Sequence, residues 1–333
     1  PDQEHYGRPH TFERKRRKRD MKNYASLARF LLLATLWGSS FTLIKVSLGG
    51  LTPGQLVLSR LFMGALLLVG IALATKTALP RTVQVWGHYA AAALFGNVIP
   101  FLLLSYGEKT TGAGIAGVLI GGTPLLTLTV ATLVLAEERA TARKAVGLVA
   151  GFAGVVILIG PWSDRLGSPG GQTACLGAAL SYAIGFVYVR KFLSPRGVRP
   201  LAGAASQLIA ATAIQAAVTP FLEWETPALT ARVTAAVVAL GLLSTGLAYI
   251  LYFRLINDMG AVTASAVNYV VPVAAVAAGV LVLDEPVTWN LVAGGLVVLV
   301  GMGYAENRVK GFYRKPSVPA PDVSAGARDG RTR

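Results

Sequence analysis

The chain carries about ten unbroken apolar stretches of roughly 18–24 residues, the length at which an α-helix rising about 1.5 Å per residue crosses bilayer hydrocarbon. Read as spans, they cover residues 27–47, 55–75, 87–107, 112–135, 143–161, 172–190, 200–221, 233–254, 260–283 and 287–304. With 53% hydrophobic and 14% charged residues, too little charge remains to coat a water-facing surface. The expected fold class is an all-α membrane protein of about ten transmembrane helices, with the lipid bilayer as its surroundings.

A net charge of +15 would suit a nucleic-acid partner, but its placement argues against one. Arg14, Lys15, Arg16, Arg17, Lys18 and Arg19 directly precede the first stretch, where basic residues hold a chain end in the cytoplasm. Residues 1–26 therefore read as a basic cytoplasmic tail, and 306–333, polar and without periodicity, as a disordered cytoplasmic tail. The same bias marks alternate connections: Lys76, Arg81, Arg139, Arg143, Lys144, Arg190, Lys191, Arg196, Arg199 and Arg254 fall on one side. Only Lys109, Arg165 and Arg232 fall on the other. This predicts a multi-pass cell-membrane protein with both termini cytoplasmic and 162–171 outside. The run from Leu27 to Leu48 is too long for a signal-peptide core and reads as retained.

One cysteine, Cys175, excludes disulfide frameworks and cysteine metal clusters. His5, His10 and His88 are the only histidines, and no HExxH or GxSxG pattern occurs, so no catalytic residue, metal or cofactor is expected. No filter sequence or charged pore stripe suggests a channel. An integral-membrane enzyme and a non-transporting scaffold stay as alternatives, the latter binding without flux.

The chain repeats itself. Gly112-Ala113-Gly114-Ile115-Ala116 aligns without a gap on Gly260-Ala261-Val262-Thr263-Ala264, and the same shift pairs Pro124 with Pro272, Glu137 with Glu285 and Gly147 with Gly295. Trp37, Phe41 and Lys45 echo Tyr182, Phe186 and Arg190 more weakly. The halves are therefore set at 27–161 and 172–305, and an odd span count in each would place them in opposite orientations, the inverted-repeat plan of many secondary transporters.

Leu36-Trp37-Gly38-Ser39-Ser40-Phe41 with Lys45, then Pro53 with Arg60, then the small-residue and proline pattern before Leu135-Ala136-Glu137-Glu138 and its partner ending Leu283-Asp284-Glu285-Pro286, together resemble the EamA-type drug/metabolite transporters. The resemblance implies two inverted five-helix repeats around a central cavity. It also implies alternating-access movement, by export or exchange, of a small organic metabolite such as an amino acid or a drug-like compound. Glu138, where the second half has Pro286, departs from a symmetric pattern.

Polar groups at membrane depth must face the bundle interior, which singles out Asn97, Gln207, Asn268 and Tyr269 as substrate contacts or interhelical hydrogen bonds. Trp37, Tyr182, Tyr249 and Ser40 would supply flat faces and hydroxyls around an amphipathic solute, or pack the core. Pro124 and Pro272, each mid-span, are candidate hinges that free the carbonyls of Ile120 and Asn268. Pro100 reads as a plain kink. Lys45 and Arg60 sit near span ends and are expected to snorkel to headgroups, or alternatively to draw in a substrate carboxylate. No acidic residue falls at a span centre, which argues against carboxylate-based proton antiport and leaves facilitated diffusion, exchange or another coupling group. Gly147 and Gly151 form a GxxxG contact, within a monomer or across a homodimer.

Overall fold

In a computed structural model of the chain, residues 9–134, 142–159, 167–259, 267–284 and 286–305 are described. Among them every regular element is helical. The helices are α1 (Pro9–Ser47), α2 (Pro53–Ala74), α3 (Val83–Thr110), α4 (Ala113–Val134), α5 (Ala142–Ile159), α6 (Pro169–Leu193), α7 (Pro200–Phe221), α8 (231–259), α9 (Val267–Leu283) and α10 (Trp289–Ala305). Seven segments, the first of them Ala25–Ser47, are long and apolar enough to cross a membrane.

Burial runs opposite to that of a soluble bundle. Phe62, Leu66, Leu73, Leu133, Phe152 and Val300 lie exposed on the outer surface, while Asn97, Ser206, Gln215 and Thr245 are enclosed. Such a surface is stable only in an apolar solvent. The first helix starts ahead of the apolar span, because no proline interrupts residues 10–47 and Arg and Lys favour helix; the basic run is helical and leads into the span that begins at Ala25.

Helix starts are fixed by side chains. Thr52 and Gln55 form a capping box ahead of Pro53, Ser168 caps α6 through Gly171, and Thr230 and Thr288 accept from the backbone of Val233 and Leu291. Glu137, Thr141 and Glu285 lie outside the described residues.

The packing follows the repeat. α2 lies on its counterpart α7, and α5 on its counterpart α10, whereas α4 and α3 pack on α6 just as α9 and α8 pack on α1. Each contact thus recurs with the halves exchanged. The last helices of the two halves meet through glycine: a Cβ on Gly154 would sit 2.6 Å from the Val298 nitrogen, and one on Gly301 2.6 Å from the Gly151 nitrogen. The GxxxG pattern of Gly147 and Gly151 is therefore used inside the monomer.

The proline helices differ between the halves. α4 breaks at Gly122, and the Ile120 carbonyl freed by Pro124 is taken by the Thr123 hydroxyl at 2.6 Å. α9 continues as helix through position 272. The difference follows from sequence, since Gly121-Gly122 loosens the turn before Pro124 while Val270-Val271 stiffens the one before Pro272.

Candidate functional site

Two helices depart from α geometry beside one polar cluster. In α3 the segment Leu94–Val98 is a π turn, closed by an Ile99 N–H donating to the Leu94 carbonyl. Pro100 is the physical cause: its ring cannot approach the carbonyl four residues back, and widening the turn relieves the clash. The Phe95 carbonyl accepts instead from the Ser181 hydroxyl of α6 at 2.8 Å, so the irregular backbone is satisfied across a helix interface. The expected plain kink is thus a local rebuilding that presents Asn97.

Asn97 is fully buried and accepts from the Gln207 amide of α7 at 2.7 Å, while its own amide donates to the Tyr249 hydroxyl of α8 at 3.2 Å. Gly96 allows this approach, since a Cβ there would stand 3.2 Å from the Gln207 Nε2. Gly185 of α6 lies against Gly96 as well, its Cβ position 3.0 Å from the Gly96 Cα, which draws α6 and α3 together.

Tyr182 of α6 packs edge-on to Phe101, with ring centroids 6.3 Å apart, and stacks with Phe186. Phe101 in turn carries the Arg60 guanidinium of α2, whose Cζ lies 3.8 Å from the ring centroid. Arg60 also donates from Nε and Nη2 to the Thr245 hydroxyl at 3.3 and 3.2 Å. That hydroxyl donates onward to the Leu240 carbonyl at 2.9 Å, a five-residue step inside the π segment Ala239–Leu247. A Cβ on Gly64 would stand 2.8 Å from the Thr245 Cγ2, so α2 and α8 are in close contact here.

Of the expected site residues, Asn97, Gln207, Tyr249 and Tyr182 share this cluster. Trp37 packs against Tyr252 of α8, centroids 5.5 Å apart, and so lines the neighbouring α1–α8 seam. Ser40 returns its hydroxyl to the Trp37 carbonyl at 2.6 Å, a bond within its own helix. The side chains of Asn268, Tyr269 and Pro272 lie outside the described residues.

Both cations differ from the snorkelling expectation. Arg60 is only 5% exposed, because α2 begins at Pro53 and carries it two turns into the bundle. Lys45 donates to the carbonyls of Glu108 and Thr111, neutralising the negative end of α3. Glu108, near that end, is enclosed with no surface exposure, although the span forecast ended one residue short of it. Phe101, Thr245 and Tyr252 carried no sequence signal beyond residue type. A separate cleft, lined by Leu51, Gln55, Ser59, Met63, Trp224 and Thr234, shares no residue with the cluster.

This is a polytopic helical membrane protein whose polar, aromatic-walled centre is built from both halves of the chain. It belongs to the EamA-like transporter family, whose sequence profile matches twice, at residues 26–160 and 170–304. The chain is 28% identical to the uncharacterized transporter YdfC of Bacillus subtilis (strain 168), over 84% of this chain and 90% of that one. It is 27% identical to an uncharacterized transporter of Archaeoglobus fulgidus over 85% and 98% of the two chains, and 28% identical to the uncharacterized inner membrane transporter YedA of Escherichia coli (strain K12) over 74% and 79%. A crystal structure of a protein 21% identical superposes with a TM-score of 0.62, covering 86% of this chain and 99% of the other, a likeness of fold alone.

Proposed function

We propose that this protein carries a small organic solute across the cell membrane, by export or exchange, with the Asn97, Gln207 and Tyr249 cluster as the centre of its binding site. The observation that carries this reading is the hydrogen-bonded chain from Gln207 to Asn97 to Tyr249, which joins elements of both halves at membrane depth. Polar groups buried there are costly unless matched, and a seam between repeats is where alternating access places its substrate. In this reading all the helices α1–α10 span, as two inverted five-helix repeats with both termini cytoplasmic. The break at Gly122 serves as a flexing point, and Trp37, Tyr182 and Tyr252 give the solute flat apolar walls. Glycine-mediated packing of α5 on α10 within one chain supports a monomer as the working unit.

The test is purified protein in liposomes, offered amino acids, nucleosides, sugars and cationic drugs, with and without a pH gradient. Saturable uptake of at least one class, reduced by Asn97→Leu, is the expected result. Binding without flux in any class would make the protein a scaffold and overturn the proposal.

A further inference from the structure

We propose that Arg60 is the anchor for a carboxylate on the transported solute, so that the substrate class is small organic acids and zwitterions that carry a carboxylate; this rests on the transport reading above. Arg60 projects from α2 into the interface between the halves and keeps 5% of its surface exposed. A guanidinium offers five N–H donors and holds its charge at any physiological pH. Here Nε and Nη2 share the single Thr245 hydroxyl, and the cation lies over the face of Phe101. Among the described residues no acceptor meets Nη1, and no carboxylate lies within ion-pair distance of Arg60.

A hydroxyl and a ring do not offset the loss of hydration of a charge, which is why cations inside spans pair with an anion or face a substrate path. The fork geometry selects an anion with two coplanar oxygens, which a carboxylate supplies. The single charge of a carboxylate matches a single guanidinium, whereas a dianion such as phosphate would leave charge unmatched. Tyr182 packs on the Phe101 ring that carries this guanidinium, and Tyr182 and Tyr249 lie within its electrostatic reach, so the surroundings suit an amphipathic acid. The second observation is the π segment 239–247, which directs the Thr245 proton to Leu240 and leaves its lone pairs for Arg60. Irregular backbone is spent on holding this guanidinium in place.

The experiment uses the full chain in liposomes and in detergent, with matched probes: amino acids, 2-oxo acids and aromatic acids, each beside its primary amide. The expected result is that every carried solute has a carboxylate and that its amide raises the melting temperature of the native protein at least ten-fold less potently. Arg60→Lys, which keeps the charge and loses the fork, should weaken apparent affinity by at least ten-fold. If solutes are carried equally well as amides, or bind Arg60→Gln within two-fold of the native protein, the anchor is refuted while transport stands. The comparison of acid with amide needs no variant and decides the matter even where Arg60→Gln does not fold. If no solute of any charge crosses, both the transport reading and the anchor fall.

Discussion

Gln207 donates to the Asn97 carbonyl oxygen across 2.7 Å, a bond that ties α7 to α3 and so the second half of the chain to the first. Asn97→Leu keeps the branched outline of the side chain but removes this acceptor and the donor that Tyr249 receives. Depriving enclosed polar groups of partners costs about 1–3 kcal/mol each. The variant should melt earlier in detergent and lose most solute uptake, whereas Asn97→Gln should keep part of both. Native-like uptake in Asn97→Leu would remove this residue from the site.

Thr245→Val, close in shape, takes away the hydroxyl that accepts from the Arg60 guanidinium. Because a charged donor is involved, the loss should be about 1.5–3 kcal/mol in stability. Thr245→Ser should restore it. The check is chemical unfolding of the three proteins side by side, and equal stabilities would show that the contact is without energetic weight.

Glycines of α10 offer an internally controlled pair. Gly301→Ala forces a methyl against the Gly151 backbone and should destabilise by about 1–3 kcal/mol. Gly303→Ala has open space around it and should be neutral or slightly stabilising, since alanine favours helix over glycine by about 1 kcal/mol. Thermal melts of both variants decide whether the two halves are held together through this seam.

Orientation can be read by labelling. Gly170 is exposed at the start of α6, with only the Ser168 Oγ near its Cβ position, and the sole cysteine, Cys175, is buried. A Gly170→Cys protein should react with a membrane-impermeant maleimide added to intact cells, while the native chain stays unlabelled. Reaction only after the cytoplasmic face is opened would reverse the assigned topology.

The order and approximate limits of the helices were legible because apolar length is a coarse, additive signal that tolerates errors of a few residues. Asn97, Gln207 and Tyr249 were legible for a related reason: an amide or phenol inside hydrocarbon has to find a partner, and here they found each other. What composition could not reveal was rotation about a helix axis. Arg60 looked like an end residue on a span counted from residue 55, yet two residues of extra helix before it and the packing of α2 on α8 turn it inward. Glu108 was missed in the same way, by a boundary drawn one residue early. Phe101 and Thr245 are ordinary residue types whose roles exist only through the partner each meets. The repeat predicted like behaviour for Pro124 and Pro272, but the residues before each proline, Gly121-Gly122 and Val270-Val271, decide whether the helix breaks.

The wide stretch of α8 has a consequence for how this chain tolerates change in length. A π turn holds more residues than an α turn over a similar rise, so residues 239–247 store surplus chain between two regular helices. Deleting a residue there would let the stretch tighten into α geometry while 231–238 and 248–259 keep their packing on α1. The step from Thr245 to the Leu240 carbonyl would no longer close, and the hydroxyl that faces Arg60 would swing away. Shortening by a single residue, which elsewhere in a helix misaligns everything downstream, would here spare the architecture and erase the binding chemistry.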